Sequence, residues 1–101
     1  MGFVGIISNN SEIPNNYDLW QNYPNPFNPT TNIIFHLPKS GNVTIKIFDI
    51  TGKLVSELLN SELEAGSHNI DWNASDYPSG VYFYKITAGN FTSVKKMMLV
   101  K

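Results

Sequence analysis

No cysteine occurs in this chain of 101 residues, which excludes a disulfide framework, a thiolate zinc site and a cysteine nucleophile. Charge is scarce as well: Asp, Glu, Lys and Arg make up 15% of the residues, against about a quarter in an ordinary soluble protein. The net charge is −1 and the pI about 6.0. Neither a nucleic acid nor an anionic membrane is an expected partner, since both call for a basic face. No apolar run approaches the roughly 20 residues that cross a bilayer. The short window from Phe3 to Ile7 has no basic residue ahead of it and no small-residue cleavage site behind, so it does not read as a signal peptide.

Convergent chemistry is missing too. His36 and His68 stand on separate strand patterns with no ligand partner at metal spacing, and the acidic residues are scattered. There is no glycine-rich phosphate cradle, nucleophile elbow or HExxH. We therefore expect no enzyme, no metal, no cofactor and no small-molecule substrate. Asp71 beside Trp72, and the run Tyr82-Phe83-Tyr84, could serve a sugar site, but in a sandwich with few other large residues these aromatics belong in the core. Glycosylation-type triplets at Asn9, Asn42, Asn73 and Asn90 follow from an asparagine-rich composition.

What is present is one core's worth of apolar residues, 42% of the chain, and one stiff segment. Tyr23-Pro24-Asn25-Pro26-Phe27-Asn28-Pro29 loses three backbone donors to proline and is steered away from helix at Tyr23, Asn25 and Asn28. The expected result is an extended rail in which Asn25 and Asn28 turn back on the N–H groups of Phe27 and Thr30, holding Phe27 as a plug. After it the chain alternates with the period of a half-buried strand. Tyr17–Asn22 is a first strand; Ile33, Phe35 and Leu37 share one face, as do Val43, Ile45 and Ile47, and these two strands read as an antiparallel pair. Lys53–Leu59 has apolar residues at helical spacing, yet a sandwich setting favours strand. His68, Ile70 and Trp72 share a face; Tyr82, Tyr84 and Ile86 point inward beyond the turn Tyr77–Gly80. Ala88-Gly89-Asn90 marks a hairpin, and alternation leaves open which face of Phe91–Lys101 is buried. Glu57, Glu62 and Glu64 form a solvated rim. Residues 1 to 16 read as a linker or the remnant of a preceding region, and 17 to 101 as one domain: an all-β, antiparallel sandwich of about seven strands.

The runs LWQNYPNPFNPTTNIIFHLPKSGNVTIKIFDITGKLV, AGSHNIDWNASDYPSGVYFYKI and KKMMLVK together resemble the type A C-terminal sorting domain of proteins exported by the type IX (Por) secretion system of Bacteroidetes. The resemblance implies an immunoglobulin-like sandwich at the end of a larger secreted or cell-surface protein. Its implied partners are the N-terminal passenger, the outer-membrane translocon reached through the periplasm, and a sortase-like peptidase that cleaves in or near such a linker and can attach the passenger to lipopolysaccharide. Carried over position by position, the family motifs fall on Pro24, Asn25, Pro26, Phe27, Asn28 and Pro29. They continue on Gly41, Asp49, Gly52, Gly66, Trp72, Gly80 and Tyr82, and on the terminal stretch with Lys96, Met98, Val100 and Lys101. We expect the proline segment to be chiefly architectural and the last strand to be read by edge pairing. The competing reading is an accessory carbohydrate-binding or spacer sandwich of a secreted enzyme, which requires an exposed aromatic strip.

Overall fold

A computed structural model describes residues 13–101; most of the expected linker therefore lies outside the described residues. Seven strands follow in order: β1 (Asp18–Leu19), β2 (Thr30–Leu37), β3 (Gly41–Asp49), β4 (Leu54–Leu63), β5 (Gly66–Asn73), β6 (Gly80–Ala88) and β7 (Phe91–Leu99). They form two antiparallel sheets, one ordered β1-β2-β5 and the other β4-β3-β6-β7. The fold is the expected immunoglobulin-like sandwich. Its core is built from the alternating faces read in the sequence: Ile33, Phe35 and Leu37 from β2, Val43, Ile45 and Ile47 from β3, and Tyr84 and Ile86 from β6, all buried.

The strands β2 and β3 are not partners, contrary to expectation. β2 pairs with β5 from Thr30↔Asn73 to Leu37↔Gly66, and β3 pairs with β4 and β6. Leu37 ends β2 buried and Val43 resumes buried in β3. The link between them, opened by a proline that cannot donate to a ladder, carries the chain from one sheet to the other. Alternation reveals that a strand has one buried face but not which strand lies beside it.

In β4 the competition between helix and strand resolves to strand, and it runs on to Leu63 rather than stopping at Leu59. Register shifts against β3 between Ile45 and Lys46 and between Ile47 and Phe48 explain the misleading spacing. Each bulge slips the phase by one residue, so Val55, Leu58, Leu59 and Leu63 all reach the core without a period of two. For β7 the buried face is that of Met97 and Leu99, leaving Lys96, Met98 and Val100 outside.

The turn after β3 is closed by Asp49. Its carboxylate accepts from the Thr51 hydroxyl at 2.6 Å and from the N–H groups of Thr51 at 2.9 Å and Lys53 at 3.1 Å, and Gly52 supplies the φ of 89°. These bonds, the hydroxyl foremost, hold the carboxyl below its ordinary 3.8. A carboxyl with a depressed folded pKa stabilises above the unfolded value and loses that contribution as pH falls through the folded one. Asp49→Asn is expected to flatten the acid side of the stability profile, checked by thermal melts of both proteins between about pH 2 and 5; an unchanged slope below 3.8 would refute the role given to this carboxylate.

Candidate recognition surface

Tyr23–Pro29 lies along the outer edge of β7. It is a series of bends rather than an extended rail, and its three X–Pro peptide bonds are cis. The Phe27 N–H donates to Met98 O at 3.0 Å, and Val100 N–H donates to Phe27 O at 2.9 Å, a parallel bridge at Leu99. Asn25 does not turn back on Phe27 as expected; its Oδ1 accepts from Met98 N–H at 3.0 Å. Gln21 Nε2 donates to Lys96 O at 2.7 Å. The C-terminal half of an edge strand, whose free N–H and C=O groups would otherwise invite pairing, is thus covered by the chain itself.

Phe27 is the plug the sequence implies. It is 2% exposed and its ring meets Trp72 at 5.8 Å. Trp72 is flanked in turn by Tyr77 and Tyr82, each at 5.5 Å, in the tilted and edge-on geometries that aromatic pairs favour. Gly80 begins β6 at a φ of 153° with open space where a Cβ would stand, so conformation, not room, selects glycine there. Two residues on, the Tyr82 hydroxyl hooks back to Pro78 O at 2.6 Å. Burial raises the Tyr82 phenol above 10.0, with Asp49 adding to the shift. Lys101 is tied to the same turn, its N–H donating to Ser79 Oγ at 2.9 Å and its Nζ to Ser75 O at 2.6 Å.

A polar knot under the segment escaped the sequence reading. Asn22 and Thr31 are buried; Asn22 Nδ2 donates to Thr31 Oγ1 at 2.9 Å, and both side chains donate to Pro24 O. The Tyr84 hydroxyl, wholly buried, accepts from Asn22 N–H at 2.8 Å and donates to Trp20 O at 2.6 Å. Those two bonds are why the expected first strand shrinks to Asp18–Leu19: Trp20 O and Asn22 N–H are turned toward β6, and the chain rejoins β2 only at Tyr23↔Asn32. Thr31 was findable, since it falls in phase with Ile33, Phe35 and Leu37.

The site residues therefore divide. Phe27 and Tyr82 are core; Pro24, Asn25, Pro26 and Asn28 are exposed, and Pro29 is half-buried. Lys96, Met98, Val100 and Lys101 are exposed on and beyond β7. Trp72, Tyr82 and Tyr84 are buried, which removes most of the aromatic strip that sugar binding required; Trp20 stays half-exposed against His36 at 5.1 Å. His68 stacks on Phe35 at 5.5 Å, and its Nε2 lies 2.7 Å from Glu64 O.

Residues 21–101 match the family model described as a secretion system C-terminal sorting domain. No curated protein matches the chain. Solved structures share the fold, among them the two that follow. The crystal structure of dimeric latent PorU from Porphyromonas gingivalis superposes with a TM-score of 0.64 at 22% identity, over 83% of this chain and 9% of that one. PorZ, described as an essential bacterial surface component of the type-IX secretion system of the same organism, superposes with a TM-score of 0.54 at 22% identity, over 84% of this chain and 11% of that one. This chain thus spans about a tenth of the length of either.

Proposed function

Since the chain belongs to the secretion system C-terminal sorting domain family, a signal for export to the cell surface or beyond, we propose that it is the folded label by which a larger passenger is exported. In this reading the passenger, N-terminal to the domain, reaches the periplasm first. A component of the outer-membrane translocon then binds the domain, and a sortase-like peptidase cuts ahead of it, leaving the passenger attached or released. The domain itself catalyses nothing and holds no cofactor.

The observation that carries the reading is the union of the two ends of the matched span. Residues far apart in sequence, Gln21 to Phe27 and Lys96 to Val100, form one hydrogen-bonded unit over a shared aromatic core. A label read on unrelated passengers must be such an autonomous shape. The same bonds move the expected mode of recognition: Met98 N–H, Met98 O and Val100 N–H are already satisfied, so the terminal strand offers outward side chains rather than a free edge over this half.

Fused to a neutral reporter in a type IX host, the domain is expected to bring the reporter to the surface or the medium, and removal of Met97–Lys101 is expected to retain it in the cell. Reporter found outside without those residues would sink recognition at the terminal strand.

A further inference from the structure

The outer face of the four-stranded sheet is covered by nothing among the described residues, and its composition is not that of a plain solvated surface. Cross-strand pairing sets its rungs. Val81 stands opposite Met98; Leu54, Phe48, Phe83 and Lys96 follow across all four strands; then come Glu57, Lys46, Lys85 and Val94. Leu54, Val94, Met98 and Val100 are between 43% and 53% exposed. An apolar band at one end of the face thus gives way to a band of lysines.

The lysines do not serve the sheet. Lys46 and Lys85 are direct partners across β3 and β6, and like charges so placed destabilise a sheet. Lys46 has Glu57 on its other side. Lys85 and Lys96 have as β6–β7 partners only Val94 and Phe83, so the uncompensated cations lie toward β7. At that edge the proline segment and the strand enclose an apolar groove of about 170 Å³, lined by Asn25, Pro26, Lys96, Met97 and Met98, a volume suited to one large side chain.

Exposed apolar patches rimmed by polar groups mark interaction sites, and charge at their rim selects the partner. We propose that the β7 half of this face, from the Pro26–Met98 groove to Lys85, docks a protein whose contact surface places an apolar anchor in the groove and carboxylates against Lys85 and Lys96. A bilayer of anionic lipid fits less well, because Glu57 and Glu62 share the face at its far strand and the net charge is −1. The inference deepens the export reading by giving the translocon-side partner its chemistry, yet it is testable without it.

The probe is a capped peptide alternating phenylalanine with glutamate pairs, titrated into the isotope-labelled domain and followed by amide chemical shifts. Shifts confined to Asn25, Lys85 and Val94–Val100 are expected, about tenfold weaker binding for the glutamine analogue, and no response to vesicles of phosphatidylglycerol and phosphatidylcholine in equal parts. Lys85→Glu with Lys96→Glu replaces the Lys46–Lys85 repulsion by an attraction, so it should not lower the melting temperature, and it should remove the shifts. Absence of binding, equal binding of the glutamine peptide, shifts elsewhere or preferential binding of the vesicles would each overturn the proposal. In the reporter fusion the same double variant should stay inside the cell; its normal export would also overturn the docking face while leaving the sorting role intact. Failure of the unsubstituted fusion to be exported would count against the sorting role instead, and the titration would still decide the docking face.

Discussion

Phe27→Ala is expected to destabilise the domain by about 3–5 kcal/mol, the usual cost of deleting a buried aromatic. The ring is 2% exposed and wedged against Trp72, which Tyr77 and Tyr82 already fix from other sides, so the cavity has little freedom to collapse. Against a total stability of roughly 5–15 kcal/mol, the loss leaves a marginal fold. The consequence extends beyond the ring, because the backbone of Phe27 is stitched to Met98 and Val100. Without the plug the proline segment loses its anchor and the C-terminal edge of β7 is uncovered. Urea unfolding measures the first effect, and faster exchange of the Met98 and Val100 amides the second. A variant with unchanged stability that is nonetheless not exported would show the motif to be read directly; Phe27→Leu, which keeps most of the volume, should both fold and be exported.

Tyr84→Phe is the second large effect, although it removes one oxygen. The hydroxyl bridges Asn22 N–H and Trp20 O inside the sandwich, and each buried group left without a partner costs about 1–3 kcal/mol. Loss of both bonds should lower stability by a few kcal/mol and loosen the approach of residues 20 to 22 to β6. The same site governs the alkaline limit. Burial pushes the Tyr84 phenol from 10.0 up to about 12, partly offset by the Asn22 N–H. A group whose folded pKa is raised stabilises fully below its unfolded value and loses that contribution as pH climbs to the folded one, so stability should fall between pH 10.0 and about 12. Melts across that window should show a shallower fall for Tyr84→Phe. A residual slope is expected from Tyr82, whose phenol is raised in the same direction; slopes identical to the parent would refute the assignment to Tyr84.

Where the sequence was readable, a local rule sufficed. The inward faces of β2, β3, β5 and β6 followed from alternation, and the hairpin joining β6 to β7 from its glycine and asparagine. Phe27 was recognisable as a plug because prolines on either side forbid a regular element around a large aromatic. Reading failed where a distant group intervened. Asn25 was expected to bond two residues along its own chain, but the N–H of Met98 competes for the same oxygen. The pairing of β2 with β5 depended on how the sheets stack, and the helical look of β4 came from bulges set by its neighbour β3.

Composition and alternation thus determined by themselves that this is an all-β sandwich, because those features act within a few residues along the chain; the sorting-domain type came from the resemblance of the three runs and from the family match over residues 21–101. The tertiary structure alone decided which strands are partners, which face of β7 is buried, that the proline segment closes the edge near the C-terminus, and that Tyr84 ties residues 20 to 22 to β6. Those outcomes depend on satisfying buried polar groups and filling one core with residues from both ends of the chain, and no spacing along the sequence encodes which donor lies closest to which acceptor across the sandwich.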